Sequence, residues 1–221
     1  MPIPRRLRLR FAFPLVALLI AGAAMADDRV HPVMDAETLR LALPEGAEVQ
    51  ARLDADFNDD GLQDVVVVAR NDSERVMLAF AAYVTEFDTG FDPVGTMRMS
   101  YAPLTKTTLR LLRGVVIVTD TDAAATSIDA TYRFRFERQP KSEGQGRMRL
   151  IGDDVRAYSR NGVHESTIVS TNRLTGERIV QVAMPGPNGD VKQPQKTTKV
   201  SSKPLYMEDA PTPGQTLEAV R

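Results

Sequence analysis

Alternation of hydrophobic and polar positions recurs along the chain and predicts a protein built mainly of strands. In residues 132–137 aromatic side chains alternate with charged ones, as they do in a strand that buries one face. Residues 65–68 are four consecutive valines, a run typical of a strand that is buried on both faces. Further strands are predicted at residues 77–84, 115–119, 147–150, 167–171 and 179–182.

Short connections join these predicted strands, and turn signals separate them. The sequence therefore favours a mainly β fold, either an antiparallel sandwich or a bent meander, with one or two short helices. One helix is expected at residues 35–43, where Asp35 is placed to cap its first turn and Pro44 and Gly46 to end it.

The predicted elements form one domain. No internal repeat is visible between residues 27 and 184, so we expect this stretch to be a single β domain. Residues 185–221 are rich in Pro, Gly, Lys and Thr, a composition that predicts an extended or loosely packed C-terminal arm.

The first 26 residues have the layout of a secretory signal peptide. Residues 1–10 are basic, residues 11–24 are apolar, and residues 24–26 read Ala-Met-Ala, a small-residue cleavage pattern. Only 16 uncharged residues separate Arg10 from Asp27, fewer than the roughly 20 that a membrane-spanning helix needs. We therefore expect cleavage, and a periplasmic or secreted bacterial protein, with an uncleaved membrane anchor as the alternative.

Composition and charge exclude or disfavour several kinds of site and partner. The chain has no cysteine, which excludes disulfides, thiolate metal sites and a thiol nucleophile. Without residues 1–26, the 24 Lys+Arg and 29 Asp+Glu that remain give a net charge of −5 (24 − 29), which argues against nucleic acid as a partner. No later apolar run reaches 18 residues, so no transmembrane segment is expected in the mature chain.

One acidic loop carries a pattern with specific chemistry, D-x-N-x-D-G-x-x-D. Its members are Asp56, Asn58, Asp60, Gly61 and Asp64. Oxygen-bearing side chains at alternate positions converge when a loop curls, and calcium takes six to eight oxygen ligands. We expect Ca²⁺ to be held by these side chains together with the backbone carbonyl of Leu62, in a structural role. The alternative is an Asp-rich turn that binds no ion.

The loop is not an EF-hand, because its twelfth position is Val67 instead of Glu and a β-branched run replaces the second helix. The loop and the strand after it resemble the FG-GAP or VCBS-type repeat, the calcium loop of integrin-like propeller blades. The matching stretch is Asp56 to Val68, and the resemblance implies calcium ligands at Asp56, Asn58, Asp60, Leu62 (through its carbonyl) and Asp64.

The resemblance does not extend to a whole propeller. This chain carries one such loop, whereas a propeller repeats its blades, so a closed propeller is not expected. A signal peptide followed by a single loop also resembles a group of uncharacterised exported bacterial proteins.

These features favour an exported, non-enzymatic calcium-binding protein whose partner is an unidentified protein or envelope component. No nucleophile, Walker or Rossmann motif is present, so no catalytic residue is assigned. The alternative is an exported hydrolase with an acidic cleft. Its candidate groups are Asp88, Asp92, Asp120, Asp122 and His164.

A cluster of arginines on the predicted hairpin offers a second candidate surface. Its members are Arg133, Arg135, Arg147 and Arg149. Like charges on facing strands destabilise a sheet unless they are neutralised. Either local acids pair with the arginines, with Glu137, Asp153 and Asp154 as candidates, or an anionic partner binds there.

Overall fold

The structure is a computed structural model that describes residues 31–101, 105–122, 126–139, 146–159, 165–187 and 189–220. Within these ranges the chain is mainly β, with two antiparallel sheets and two short helices, so the expected fold class is confirmed. The predicted signal peptide lies outside the described residues.

The first sheet is a four-stranded meander in chain order. Its strands are β1 (Glu48–Ala55), β2 (Asp64–Arg70), β3 (Arg75–Val84) and β4 (Thr89–Arg98). The valine run forms most of β2: Val66 and Val68 face the second sheet, whereas Val65 and Val67 pack beside Leu39 of a helix on the other side. Because both faces of the sheet are covered, β2 is apolar at consecutive positions.

The covering helix, α1 (Ala36–Ala42), begins where the sequence predicts it. The Asp35 carboxylate accepts a hydrogen bond from the backbone N–H of Thr38 at 2.8 Å, as a helix N-cap does. Leu39 and Met34 are buried against the sheet. Pro44 and Gly46 follow the helix, and Gly46 has a φ of +69°, a left-handed conformation that suits glycine.

The second sheet has nine strands, ordered β11-β10-β9-β8-β7-β6-β5, with β12 paired to β10 and β13 paired to β8. They are β5 (Thr105–Leu112), β6 (Val115–Asp122), β7 (Thr126–Arg138), β8 (Gly146–Ser159), β9 (Ser166–Asn172), β10 (Glu177–Gly186), β11 (Gly189–Lys192), β12 (Lys196–Lys199) and β13 (Leu205–Tyr206). In the β7–β8 hairpin, Phe134 lies opposite Leu150 and Arg135 opposite Arg149. The predicted alternation therefore places aromatic residues inside and arginines outside.

The inner faces of the two sheets pack together and form the main core. Met77 and Val68 of the first sheet belong to the same buried cluster as Val116, Phe134 and Met148 of the second sheet. The molecule is therefore a two-layer sandwich with α1 outside the smaller sheet.

The C-terminal segment is packed against the sandwich, where the sequence predicts a loose arm. It contains a 3₁₀ helix (Met207–Asp209) and α2 (Pro213–Glu218). Met207 is fully buried, and a Cβ on Gly95 would lie 2.5 Å from its sulfur. The Tyr132 hydroxyl donates to the Pro211 carbonyl oxygen at 3.0 Å. The larger sheet is wider than the smaller one, and this segment covers part of its remaining inner face.

A buried ion pair joins the two sheets. Arg75 of β3, only 1% exposed, donates from Nη1 and Nη2 to the Asp120 carboxylate of β6 at 2.8 and 2.7 Å. Its Nε donates to Gln50 at 2.7 Å, and its other N–H groups donate to the Thr107 hydroxyl and the Ser100 carbonyl oxygen. All five N–H groups of this guanidinium therefore have acceptors.

Loss of the carboxylate in this pair should be costly. Asp120→Ala is expected to lower the free energy of unfolding by about 3–5 kcal/mol, because it leaves a buried cation without its counter-charge. The double variant Arg75→Met/Asp120→Leu should recover most of that loss, because no buried charge remains. Urea denaturation measures both variants.

The control for this cycle is Arg147→Ala, which breaks a partly exposed ion pair with Glu208 and should cost about 1 kcal/mol or less. A loss no larger than the control's in Asp120→Ala would contradict the role given to the buried pair.

Candidate metal centre

The loop between β1 and β2 curls around the carboxylate of its first ligand candidate. Asp56 Oδ1 accepts the backbone N–H groups of Asp59 and Asp60 at 2.7 and 3.2 Å. Its Oδ2 accepts the Gly61 N–H at 2.9 Å. Asp59 and Gly61 have φ values of +62° and +85°, and aspartate and glycine are residue types that adopt this conformation. The loop can therefore make its tight bend around Asp56.

The next two ligand candidates are joined by their side chains. Asn58 Nδ2 donates to Asp60 Oδ2 at 2.9 Å, and the Asp60 N–H donates to Asn58 Oδ1 at 3.0 Å. The Leu62 N–H donates to Asp60 Oδ1 at 2.8 Å. The structure thus brings Asp56, Asn58, Asp60 and Leu62 into one hydrogen-bonded turn.

The last candidate, Asp64, has a different setting, because it is fully buried at the start of β2. Its Oδ2 accepts the Phe57 N–H and its Oδ1 accepts the Ala82 N–H, both at 2.9 Å. This carboxylate therefore ties the loop to β3. Sequence analysis identified Asp64 as an acid in a pattern but missed its contact with Ala82, which lies 18 residues further along the chain.

Burial and neighbouring charges change the pKa of Asp64. Burial raises the pKa of Asp64 from 3.8 to about 6, against the lowering effect of its two backbone hydrogen bonds. The negative charges of Asp60 and Asp56 raise this pKa further. The charges of both loop acids therefore act on the buried carboxylate of Asp64.

The acids do not converge on a shared point in this conformation. In the described part of the chain, no group of three or more His, Cys, Asp or Glu side chains is arranged to hold a metal. The donor set nonetheless fits calcium in its chemistry, because carboxylate, amide and carbonyl oxygens are the hard ligands that this ion takes. A carboxylate oxygen that accepts one N–H keeps a second lone pair for a cation.

The acids of the alternative hydrolase are dispersed. Asp120 is engaged by Arg75 at the start of β3, whereas Asp88 follows the end of that ten-residue strand, about 30 Å away along the strand direction. Asp92 lies in β4 and Asp122 ends β6, and His164 lies outside the described residues. Asp120 and Asp88 therefore do not belong to one site.

Local acids neutralise most of the arginines on the β7–β8 hairpin. The ion pairs are Arg133–Asp154 at 2.6 Å, Arg147–Glu208 at 3.0 Å and Arg149–Glu137 at 3.3 Å. Asp153, a further candidate partner, pairs instead with Arg173. Because the outer charges are largely balanced, this face does not require an anionic partner.

Removal of the Asp64 carboxylate should release the loop from β3. In a buffer with chelator, Asp64→Ala is expected to lower the free energy of unfolding by about 1–3 kcal/mol for each backbone N–H left without an acceptor. Chemical denaturation measures the loss. Asp59→Asn is the control, since it keeps a residue that tolerates positive φ and should change stability by less than about 0.5 kcal/mol. Equal losses in the two variants would contradict this role.

The raised pKa of Asp64 also predicts a pH dependence without calcium. Between the pKa of 3.8 in the unfolded chain and the pKa of about 6 in the folded protein, only the folded protein keeps this proton. The stabilisation that comes from this bound proton is therefore fully present below about pH 3.8 and is lost as the pH rises through about 6, whereas the hydrogen bonds from Phe57 and Ala82 are a separate contribution. Asp64→Asn, which cannot titrate, should lack this fall, and a variant curve parallel to that of the wild type would refute the assignment.

Comparison with protein-family models, curated proteins and solved structures found no match for this chain. In the part of the chain that the structure describes, no helix is long and apolar enough to cross a membrane. The case for function therefore rests on the chain's own sequence and geometry.

Proposed function

We propose that this chain is an exported, non-enzymatic β protein that binds calcium through the loop at residues 56–64. The observation that carries the proposal is the hydrogen-bonded turn that gathers Asp56, Asn58, Asp60 and Leu62 ahead of the buried Asp64. A divalent cation would offset the negative charges of Asp56 and Asp60, which act on Asp64. Ligation would involve Asp56, Asn58, Asp60, the Leu62 carbonyl and Asp64.

A structural role for the ion is supported by Phe57, a core residue that belongs to the loop. Phe57, the second residue of the loop, is 4% exposed and belongs to the main core. Its ring centroid lies 5.9 Å from that of Phe136 in β7. A cation that orders the loop would therefore also hold an aromatic contact between the first hairpin and the second sheet.

A binding role is favoured over catalysis by the placement of the polar groups. Asp120, the most buried acid of the hydrolase alternative, is neutralised by Arg75. Both oxygens of Asp120 already accept guanidinium N–H groups, so this carboxylate is poorly placed to exchange a proton with a substrate. The sandwich is instead a rigid support for binding an unidentified protein or envelope component.

Calcium titration tests the proposed ion site. With about 1 mM calcium and a dissociation constant near 0.1 mM, binding should stabilise the wild-type protein by about 1.4 kcal/mol. Asp60→Ala should lose this gain, whereas Asp59→Asn in the same loop should keep it. Thermal unfolding with calcium, with chelator and with an equal concentration of magnesium measures the effect.

Two outcomes of that titration would contradict the site. One is an unchanged melting temperature of the wild type at millimolar calcium. The other is an equal response in Asp60→Ala and Asp59→Asn, which would place the ion elsewhere on the protein.

Export is the second part of the proposal and is supported by the signal-peptide pattern of residues 1–26. We expect the protein recovered from a periplasmic or secreted fraction of a bacterial host to begin at Asp27. N-terminal sequencing checks this, and a recovered chain that still begins at Met1 would contradict cleavage.

A further inference from the structure

Two buried arginines and one buried carboxylate lie together in the second sheet, far along the chain from the loop at residues 56–64. Arg173, in the turn after β9, and Arg178, in β10, are 8% and 9% exposed, and Asp153 of β8 is fully buried. Arg173 donates to both Asp153 oxygens, from Nε at 2.5 Å and from Nη2 at 3.1 Å. The single acid of this cluster is therefore already committed to Arg173.

Arg178 has N–H groups that donate to no described residue. Its Nε donates to the Thr171 hydroxyl at 3.3 Å, and no described residue accepts from its Nη1 or Nη2. Buried side-chain atoms without a partner, within the described ranges, are limited to Asp129 Oδ1 and Thr216 Oγ1. The Nη atoms of Arg178 therefore still reach solvent, although most of the side chain is buried.

The positive charge at Arg178 is not balanced locally. Burial lowers the pKa of Arg178, the charge of Arg173 lowers it further, and Asp153 acts in the opposite direction as the smallest of the three effects. A guanidinium beside a second cation attracts an anion more strongly than an isolated one does.

The neighbouring strands place further donors on the same face. Thr198 of β12 lies directly opposite Arg178, and Lys196 lies opposite Val180, two residues along. Side chains of directly opposed residues point to the same side, with Cβ atoms about 4.5–5.5 Å apart. Glu177, the adjacent acid in β10, faces the other side of the sheet. The face around Arg178 therefore holds a hydroxyl and an exposed ammonium group but no acid in β10 or β12.

We propose that Arg178 anchors a binding site for an oxyanion group, a carboxylate or a phosphate, at the β10–β12 end of the second sheet. The free Nη1 and Nη2 N–H groups match two oxygens of such a group in a bidentate contact. Thr198 and Lys196 would complete the site with one hydroxyl and one positive charge. This site is separate from the calcium loop and does not depend on it.

The test uses the full chain in chelator, with sodium phosphate, sodium acetate or sodium chloride at equal ionic strength. At an anion concentration ten times the dissociation constant, binding should lower the unfolding equilibrium constant by about elevenfold. Chloride should give no saturable effect. A response to phosphate alone or to acetate alone supports the site and identifies which oxyanion it takes.

Two glutamine variants separate this site from general charge effects. Arg178→Gln should lose the saturable response, whereas Arg135→Gln, which removes the same charge from the exposed face of β7, should keep it. An equal response in both variants, or a wild-type response no larger in phosphate and acetate than in chloride, would overturn the proposal.

A further variant keeps the test informative if Arg178→Gln does not fold. Lys196 is exposed, so Lys196→Gln should preserve the fold and weaken anion binding by about three- to tenfold through the lost charge. NMR titration of the Arg178 Nε–Hε signal in the labelled wild-type protein provides a direct readout. An Arg178 signal that does not move with either oxyanion would overturn the site.

Discussion

The buried carboxylate of Asp64 is the contact on which the first half of the structure depends. It accepts the N–H of Phe57 from the loop and the N–H of Ala82 from β3, so that one side chain fixes the loop against two strands. Phe57 can then enter the core and meet Phe136 of the second sheet. The candidate ion site and the packing of the sandwich are therefore parts of one arrangement, since the same residue serves both.

Three arginines among the described residues are buried, and they differ in how their charge is balanced. Arg75 has an acceptor for every N–H group and a carboxylate of its own. Arg173 occupies Asp153. Arg178 has only a hydroxyl partner. A buried charge without a partner is expensive for a protein to maintain, and the proposed oxyanion would supply the missing charge to Arg178.

Sequence reasoning succeeded where the pattern is local. The alternation in β7, the valine run in β2 and the cap at Asp35 are each dictated by neighbouring residues, because period and capping follow from backbone geometry alone. The acidic loop is also a local pattern, since its members lie within nine residues. Its use of calcium remains a prediction.

The sequence patterns did not predict contacts between distant segments. Arg75 and Asp120 are 45 residues apart, and neither position carries a local signal that it faces the other sheet. The sequence also did not predict the packing of the C-terminal segment. Its Pro- and Gly-rich composition indicates weak local structure, but composition cannot show that Met207 covers part of a sheet face formed by distant residues. Arg178 lies just outside the strand predicted at residues 179–182 and was not identified, because its burial depends on its neighbours in β9 and β12.

A crystal structure of the calcium-loaded protein, with an anomalous difference map, tests the central claim most directly. The account predicts a peak within the loop at residues 56–64, with oxygen atoms of Asp56, Asn58 and Asp60 at calcium–ligand distances of about 2.3–2.6 Å. A loop without a peak at millimolar calcium, with Asp64 still bonded only to Phe57 and Ala82, would contradict it.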